Sequence, residues 1–410
     1  MPTGPPRMAE ATLAPIPDHV PHDRVVDIDV YDLKGTENGL QEAWAALQAR
    51  SPSIVWTPRN EGHWIALGGQ VLEEVQSDAE RFSSRVIVLP KSVGELHGLI
   101  PTTIDPPAHR PYRLLLNANL HPAAIRDLSD KVRVVAADLI DSFAADGWCD
   151  FTAQYATIFP IRIFLALVDL PEDDAPMIRH WADCMTRPGQ DMSFEAARQA
   201  FFDYLDPVIR ARRAQPGEDM LSRMLIADMD GHQLDHDEAL AISTQVLIAG
   251  VDTVVNFLGF ALHALAIDPQ ARAVLAGHPQ GITAAVNELF RRFGLVTIAR
   301  EVRSDINFHG VSLKAGDMVA IPTMVHGIDP AINPDPLRLD FARKRPRHSA
   351  FGSGPHMCPG QELARREVAI TLDEWLKRIP EFEVAPQSDL SIVPGIVGCM
   401  RQLCLQWPKP

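Results

Sequence analysis

Cysteine is scarce in this chain of 410 residues, limited to Cys149, Cys184, Cys358, Cys399 and Cys404. An odd count without pairwise or finger spacing argues against a disulfide scaffold or a zinc finger and points to a reducing compartment, the cytoplasm. At most one of these cysteines is expected to carry chemistry. Basic charge is also short. The 38 Lys and Arg against 53 Asp and Glu leave a formal net charge of -15, the wrong sign for a protein that holds nucleic-acid phosphates. An unbroken apolar run is missing too: the richest stretch, Ala241 to Ile267, is interrupted by Gln245, Asp252, Asn256 and His263. Those residues are costly in lipid, so a buried helix is expected there rather than a membrane span. Met1 to Pro21 carries Pro2, Pro5, Pro6, Pro15, Pro17 and Pro21 but no apolar core of the length a signal peptide needs, and reads as an extended arm. No G-x-G-x-x-G follows a strand pattern, so flavin or nicotinamide chemistry must come from another protein. No repeat, low-complexity tract or linker divides the chain, which points to one domain over 1–410 with 1–21 as its arm.

What is present is mostly helical periodicity. Apolar spacing predicts helices at Leu40 to Arg50, Tyr112 to Leu120, Ala123 to Phe143, Phe159 to Val168, Ala175 to Met185, Phe194 to Arg213 and about Ile282 to Phe293. Asp235 to Glu238 has the form of a capping box and opens a helix that can run to Asp268, before Pro269. Ile54 to Thr57 and Trp64 to Leu67 read as short strands around the turn Arg59 to Gly62, and Asn307 to Pro322 as a hairpin turning at Lys314 to Asp317. Between Val86 and Thr103 no period is visible, as expected of a lid, a pocket wall or a surface loop.

Within this frame three groups of residues carry chemistry. Phe351 to Gly360, F-G-S-G-P-H-M-C-P-G, holds Cys358 at the mouth of a helix that begins near Gln361. A thiolate is a strong iron ligand, and backbone N–H groups at a helix start favour it. In the long helix, Ala249-Gly250-Val251-Asp252-Thr253 places a carboxylate and a hydroxyl in apolar surroundings. The hydroxyl can bond back to the carbonyl of Ala249, whereas a buried Asp252 must have a partner or a task. Glu288 and Arg291, three apart, share a helix face and can pair.

Taken in this order and at these separations, the three groups together resemble the cytochrome P-450 haem-thiolate monooxygenases. The resemblance runs over nearly the whole chain to the camphor-hydroxylating branch, through Ile104 to Pro107, Phe159 to Phe164, Met185 to Pro188 and Asp252 to Leu258. It implies a mainly α fold with small β-sheets (α+β) and haem b held between the long central helix and the cysteine loop. Carried over by position, Cys358 is the axial iron ligand, with Phe351 and Gly360 beside it and Ala249 on the opposite side of the haem. His109, Arg113, Arg300 and His356 meet the haem propionates. Thr253 hydrogen-bonds bound dioxygen or its water network, and Asp252 relays protons, paired until then with Arg187 and Arg179. Glu288, Arg291 and Arg338 form a buried structural triad. Electrons come from a two-iron two-sulfur ferredoxin and its NADH-dependent reductase, docking on Arg110, Arg113, Lys344, Arg345 and Arg347, with Trp407 packing against the partner. The resemblance implies a monomer working off the membrane.

The departures are informative. His97 stands where the camphor-hydroxylating branch has a tyrosine that bonds the substrate ketone, or else points to solvent. Val88 and Leu99 replace aromatics, while Thr102, Ile248, Val296, Ile396 and Val397 complete an apolar pocket. A cyclic terpenoid or norisoprenoid, rather than camphor, is the expected substrate. Arg85 replaces a glutamate near a potassium site, so no potassium is expected, and Ile298 replaces an aspartate next to a propionate. Pro359 offers the sulfur no N–H, which should lower the iron potential. Three readings compete with an oxygen-activating monooxygenase. Peroxide-driven chemistry and a haem sensor or carrier without turnover are both disfavoured by the Asp252–Thr253 pair. A zinc site on Cys358 with His348 or His356 lacks a full ligand set.

Overall fold

The computed structural model describes residues 13–126, 128–187, 190–393 and 395–409. Helices appear close to where the apolar spacing places them, at Leu40–Arg50, His109–Leu120, Leu128–Asp141, Phe159–Val168, Ala175–Thr186, Phe194–Ala214 and Ile282–Arg292, but the one expected from Ala123 begins only at Leu128, since 123–126 form a turn. The Phe159–Val168 helix opens with Pro160 in its first turn, where the missing N–H costs nothing. It stops where Asp169 turns left-handed at φ 51°. Around these helices a single cluster of buried side chains runs from Val20 to Leu405. The first part of the predicted arm, residues 1–12, lies outside the described residues, as does Pro188. From Leu13 to Pro21 the arm is irregular and is tied to the sheet edge by the Ala14 N–H on the Pro58 carbonyl, 2.9 Å.

The long helix starts as predicted. Asp235 accepts from the Glu238 N–H and the Glu238 carboxylate accepts from the Asp235 N–H, each at 2.8 Å. It does not run unbroken to Asp268. The backbone departs from helical geometry at Asp252, φ -114° and ψ -47°, and divides His236–Val251 from Thr253–Ile267. The Thr253 hydroxyl donates to the Ala249 carbonyl, 3.3 Å, the group that the Thr253 N–H would bond in a regular helix. Such competition bends helices.

A five-stranded sheet lies to one side. Its spatial order is Ile54–Thr57, His63–Ala66, Met318–Pro322, Thr297–Val302 and Phe82–Ser83. The first two strands form the predicted pair, with Ile54 opposite Ala66, and the second runs parallel to Met318–Pro322. The hairpin expected at Lys314 to Asp317 turns elsewhere: Ile306–Phe308 pairs with Val311–Leu313 across His309-Gly310, both at positive φ. Two left-handed residues are what a tight hairpin turn needs. Lys314 to Asp317 instead makes a second turn that delivers Met318–Pro322 to the large sheet. The segment after Phe82 is a pocket wall. Val86 to Leu89 and Leu99 are buried, and the Ala299 N–H donates to the Ile87 carbonyl, 2.8 Å.

Candidate functional site

The cysteine loop owes its shape to its glycines. Gly352 and Gly354 sit at φ 75° and 71°, and a Cβ on Gly354 would stand 2.7 Å from the Ser77 Cα. A single 3-10 turn, Gly354–His356, then brings the Cys358 N–H onto the Phe351 carbonyl at 2.8 Å. Gly360, by contrast, has an ordinary φ of -84° and begins the Gln361–Arg378 helix. Its N–H donates to the Cys358 sulfur, and a Cβ there would come 3.9 Å from it. Burial nonetheless pushes the Cys358 thiol up, against the Gly360 N–H and the Arg113 and Arg365 charges. A cation bound at the sulfur would counter that burial.

Phe351 carries the Arg365 guanidinium 4.5 Å above its ring and meets Phe290 at 4.5 Å; Phe290 in turn stacks on Phe257 at 3.9 Å. Phe257 lies one turn beyond Thr253, so this aromatic column joins the cysteine loop to the break in the long helix. At that break the burial pattern changes. Ala249 is exposed and Gly250, Thr253 and Val254 are half-buried, within a helix whose other residues are mostly buried. An exposed alanine beside a half-buried glycine in the middle of a core helix marks an internal opening. Gly250 has a packing reason as well, since a Cβ there would fall 2.3 Å from the Phe164 ring.

Four basic groups gather on another side. Arg300, 3 % exposed, finds only the Ala299 carbonyl as a partner, 2.9 Å away, and burial lowers its pKa to about 10. His109 and His356 lie ring to ring at 4.2 Å, and Arg113 donates to the Met357 carbonyl of the cysteine loop. Burial, then the Arg300 charge, pushes His356 down to about 3, while its Nε2 is buried without a partner. Cations and donors concentrated this way need an anion. A sulfur in need of a metal, an opening beside the central helix and a buried cluster of bases in need of carboxylates together fit a haem with its propionates. Ile298, half-buried on the same strand as Arg300, offers no such group.

Beyond the break, Asp252 is buried and its Oδ1 is taken twice, by the Arg187 guanidinium at 2.7 Å and the Asn256 amide at 2.8 Å. Its Oδ2 is buried with no partner. Arg187 is shared with Asp183. Burial opposes its charge, but the two carboxylates outweigh it and hold the guanidinium above its usual range. Arg179 does not reach Asp252. It lies 3.7 Å from Asp183, one residue removed from the pair, because it sits on the exposed flank of its helix. Asn256, one turn after Asp252, is a partner that the i, i+4 spacing could have disclosed.

Glu288 and Arg291 are no surface pair. Arg291 is fully buried and grips Glu288 through two bonds of 2.7 and 2.8 Å. The third member is Arg343 and not Arg338: the Arg343 Nε lies 3.1 Å from Glu288, whereas Arg338 is exposed and lends only its backbone carbonyl to Arg291, 3.1 Å. Four residues of irregular chain separate the two, and spacing alone could not choose between them.

The apolar wall assembles largely as expected. Val88, Leu99, Ile248 and Val397 are buried and Val296 bridges to Val397; Ile396 and Thr102 are half-buried, the Thr102 hydroxyl without a partner. His97 does not point to solvent. It is buried, its Nε2 lies 3.3 Å from the Gln245 carbonyl oxygen of the long helix, and its Nδ1 is unsatisfied. Burial pushes it down to about 4, so it is neutral at pH 7. On the cysteine face Arg110, Lys344, Arg345 and Arg347 are exposed, Arg347 facing Glu73 at 3.3 Å. Trp407 is committed inward: its Nε1 donates to the Ala144 carbonyl at 2.9 Å and its ring packs on Phe143 and Trp375.

Comparison with known proteins agrees with this geometry. The profile of the family described as Cytochrome P450 matches residues 177–276 and 282–396. The probable cytochrome P450 127A1 of Sinorhizobium fredii is 33% identical over 96% of this chain and 97% of its own. The vitamin D(3) 25-hydroxylase of Pseudonocardia autotrophica is 30% identical over 84% and 87%. Among solved structures, CYP101J2 superposes with a TM-score of 0.90 at 45% identity over 97% of this chain and 100% of its own. CYP101C1 reaches 0.88 at 37% over 96% and 100%. Both belong to the camphor-type subfamily.

Proposed function

The chain belongs to the cytochrome P450 family and is a haem monooxygenase, and from that premise we propose that it hydroxylates a small hydrophobic cyclic substrate, a terpenoid or norisoprenoid other than camphor. Iron protoporphyrin IX would be held by the Cys358 sulfur, with Phe351, Gly360 and Ala249 lining its pocket and His109, Arg113, Arg300 and His356 meeting its propionates. When bound, it supplies the oxygen chemistry: one atom of dioxygen enters the C–H bond and the other leaves as water, with two electrons and two protons consumed.

The residues of the chain manage protons and fit. The observation that carries the reading is the divided Asp252 carboxylate: one oxygen locked by Arg187 and Asn256, the other buried without a partner. A carboxylate in that state takes up a proton at Oδ2 once Arg187 lets go, and passes it toward the Thr253 hydroxyl beside it. Such an arrangement favours the oxygen-dependent route over peroxide-driven chemistry or haem carriage without turnover. In the pocket, the neutral His97 held by Gln245 replaces a phenol with a weaker and differently placed polar group, supporting a substrate that is mainly apolar. Arg85, clamped by Glu301 at 2.9 Å and Glu95 at 3.3 Å, already neutralises its neighbouring carboxylates, which supports the reading that no potassium is bound. Electrons come from a two-iron two-sulfur ferredoxin with an NADH-dependent reductase. The supporting surface is Arg110, Arg113, Lys344 and Arg345 near the cysteine loop, with Trp407 bracing it from within. A single-domain monomer working in the cytoplasm is the reading we carry forward; it is supported by the burial of 72% of the apolar window in His236–Ile267, the one span among the described residues long and apolar enough to cross a membrane.

The test is to screen cyclic terpenoids and norisoprenoids for the haem spin-state shift that follows displacement of water. The best binder is then turned over with a reconstituted ferredoxin chain. NADH consumption matched by alcohol product is expected; NADH consumption without product for every binder overturns the substrate class.

A further inference from the structure

The helix that carries Arg179 and ends beside Arg187 bears a second cluster that oxygen chemistry does not use. His180 and Cys184 are four residues apart on Ala175–Thr186 and so share a face. After the helix ends the chain brings Asp191 back against them. The His180 Nε2 lies 3.3 Å from the Asp191 carboxylate oxygen, and the Cys184 sulfur is 3.9 Å from that nitrogen and 3.7 Å from that oxygen. Both sulfur contacts are at the long end of hydrogen bonds to sulfur. They match something else: tetrahedral zinc, with Zn–S about 2.3 Å and Zn–N or Zn–O about 2.0–2.1 Å, sets its ligands about 3.3–3.6 Å apart. The triangle needs to shrink by only a few tenths of an ångström to close on a metal. The Met192 N–H donates to the same sulfur from outside the triangle, the kind of outer contact that orients a metal-bound thiolate. Cys184 is buried while the side chains of His180 and Asp191 are 43% and 72% exposed, which gives a metal an entry path and a fourth position open to water.

We propose that His180, Cys184 and Asp191 form a binding site for a borderline-soft divalent metal of the zinc type, with water as the fourth ligand. Its effect rests on the reading of Arg187 given above. The ligands lie on both sides of Arg187 in the chain, so ligation ties Cys184 to Asp191 and holds Arg187 against Asp252, which slows proton delivery. Binding must displace the thiol proton, so uptake strengthens with rising pH.

The test uses the haem-loaded protein and zinc chloride, measured by equilibrium dialysis and competition with a chromophoric chelator at pH 6.5 and 8.0. One tight zinc per chain is expected, tighter at the higher pH. Cys184→Ala and His180→Ala should each weaken it more than about tenfold, since even outer contacts to a metal are worth about 10- to 100-fold. Undiminished uptake in both variants overturns the site. In parallel, turnover of the parent is compared with and without one equivalent of zinc, and the ratio is expected to fall below one and to return to one in Cys184→Ala. Zinc lost in the variants together with a parent ratio of one keeps the site and overturns its link to Arg187.

Discussion

Thr253 illustrates how two readings of one residue can both hold. Its hydroxyl bonds back to Ala249, as an isolated helical threonine does, and that bond marks the kink next to Asp252. Asp252→Asn should lower coupled turnover by about 10²-fold, the usual worth of a positioned acid or base, with substrate-induced spin shift retained. Thr253→Ala should keep NADH consumption but send its electrons to hydrogen peroxide; coupled product formation unaltered in both variants would sink the relay. Beside the sulfur, Gly360 donates an N–H and Pro359 has none to give. Pro359→Leu is expected to raise the reduction potential of the loaded protein in a spectroelectrochemical titration, and a downward shift would reject that assignment. Cys358, Asp252 and Thr253 stood out in their local motifs, whereas Arg187 came only from the resemblance. Gln245 as the partner of His97 was not, because 148 residues separate them.

Among the elements, the most consequential junction is the one that fastens the Ile282–Arg292 helix to the irregular chain before the cysteine loop. Glu288 accepts from Arg291, from Arg343 and from the Asp340 N–H at 3.0 Å, while Arg291 also donates to the carbonyls of Gly327 and Pro336 at 2.7 and 2.6 Å. Glu288→Gln strands two guanidinium groups, one of them fully buried. Removing one partner of a buried pair costs about 3–5 kcal/mol, to be read from denaturant unfolding. Arg338→Ala, at an exposed side chain, should stay within about 0.5 kcal/mol. Equal losses for the two would restore Arg338 to the triad. Helix positions were readable in advance because amphipathic periodicity is local. The hairpin turn was not: Lys314 to Asp317 has turn composition, and only strand pairing shows that the hairpin closes at His309-Gly310 instead.

Across the whole molecule, buried titratable groups set opposing slopes of stability with pH. Burial pushes His63, between two strands, down to about 4, below its unfolded value near 6.5. The unfolded chain then binds the extra proton, so this contribution is full above about pH 6.5 and is lost as pH falls toward 4. Burial pushes Glu367 the other way, up to about 8, so its contribution is full below its unfolded value near 4.5 and is lost as pH rises toward 8. Unfolding free energy should therefore decline between pH 6.5 and 8, and Glu367→Gln should flatten that decline. A slope unchanged in the variant would assign it to other groups.

The sequence by itself determined most of the helices and picked out the cysteine loop and the Asp252–Thr253 acid and alcohol, since each rests on periodicity or on residues close together in the chain. Tertiary structure alone decided which arginine completes the Glu288 cluster, whether His97 faces water, that Trp407 packs inward, and that Asp191 returns to His180 and Cys184. Those outcomes depend on which distant segments share a volume, and burial then decides which charges and donors must find partners.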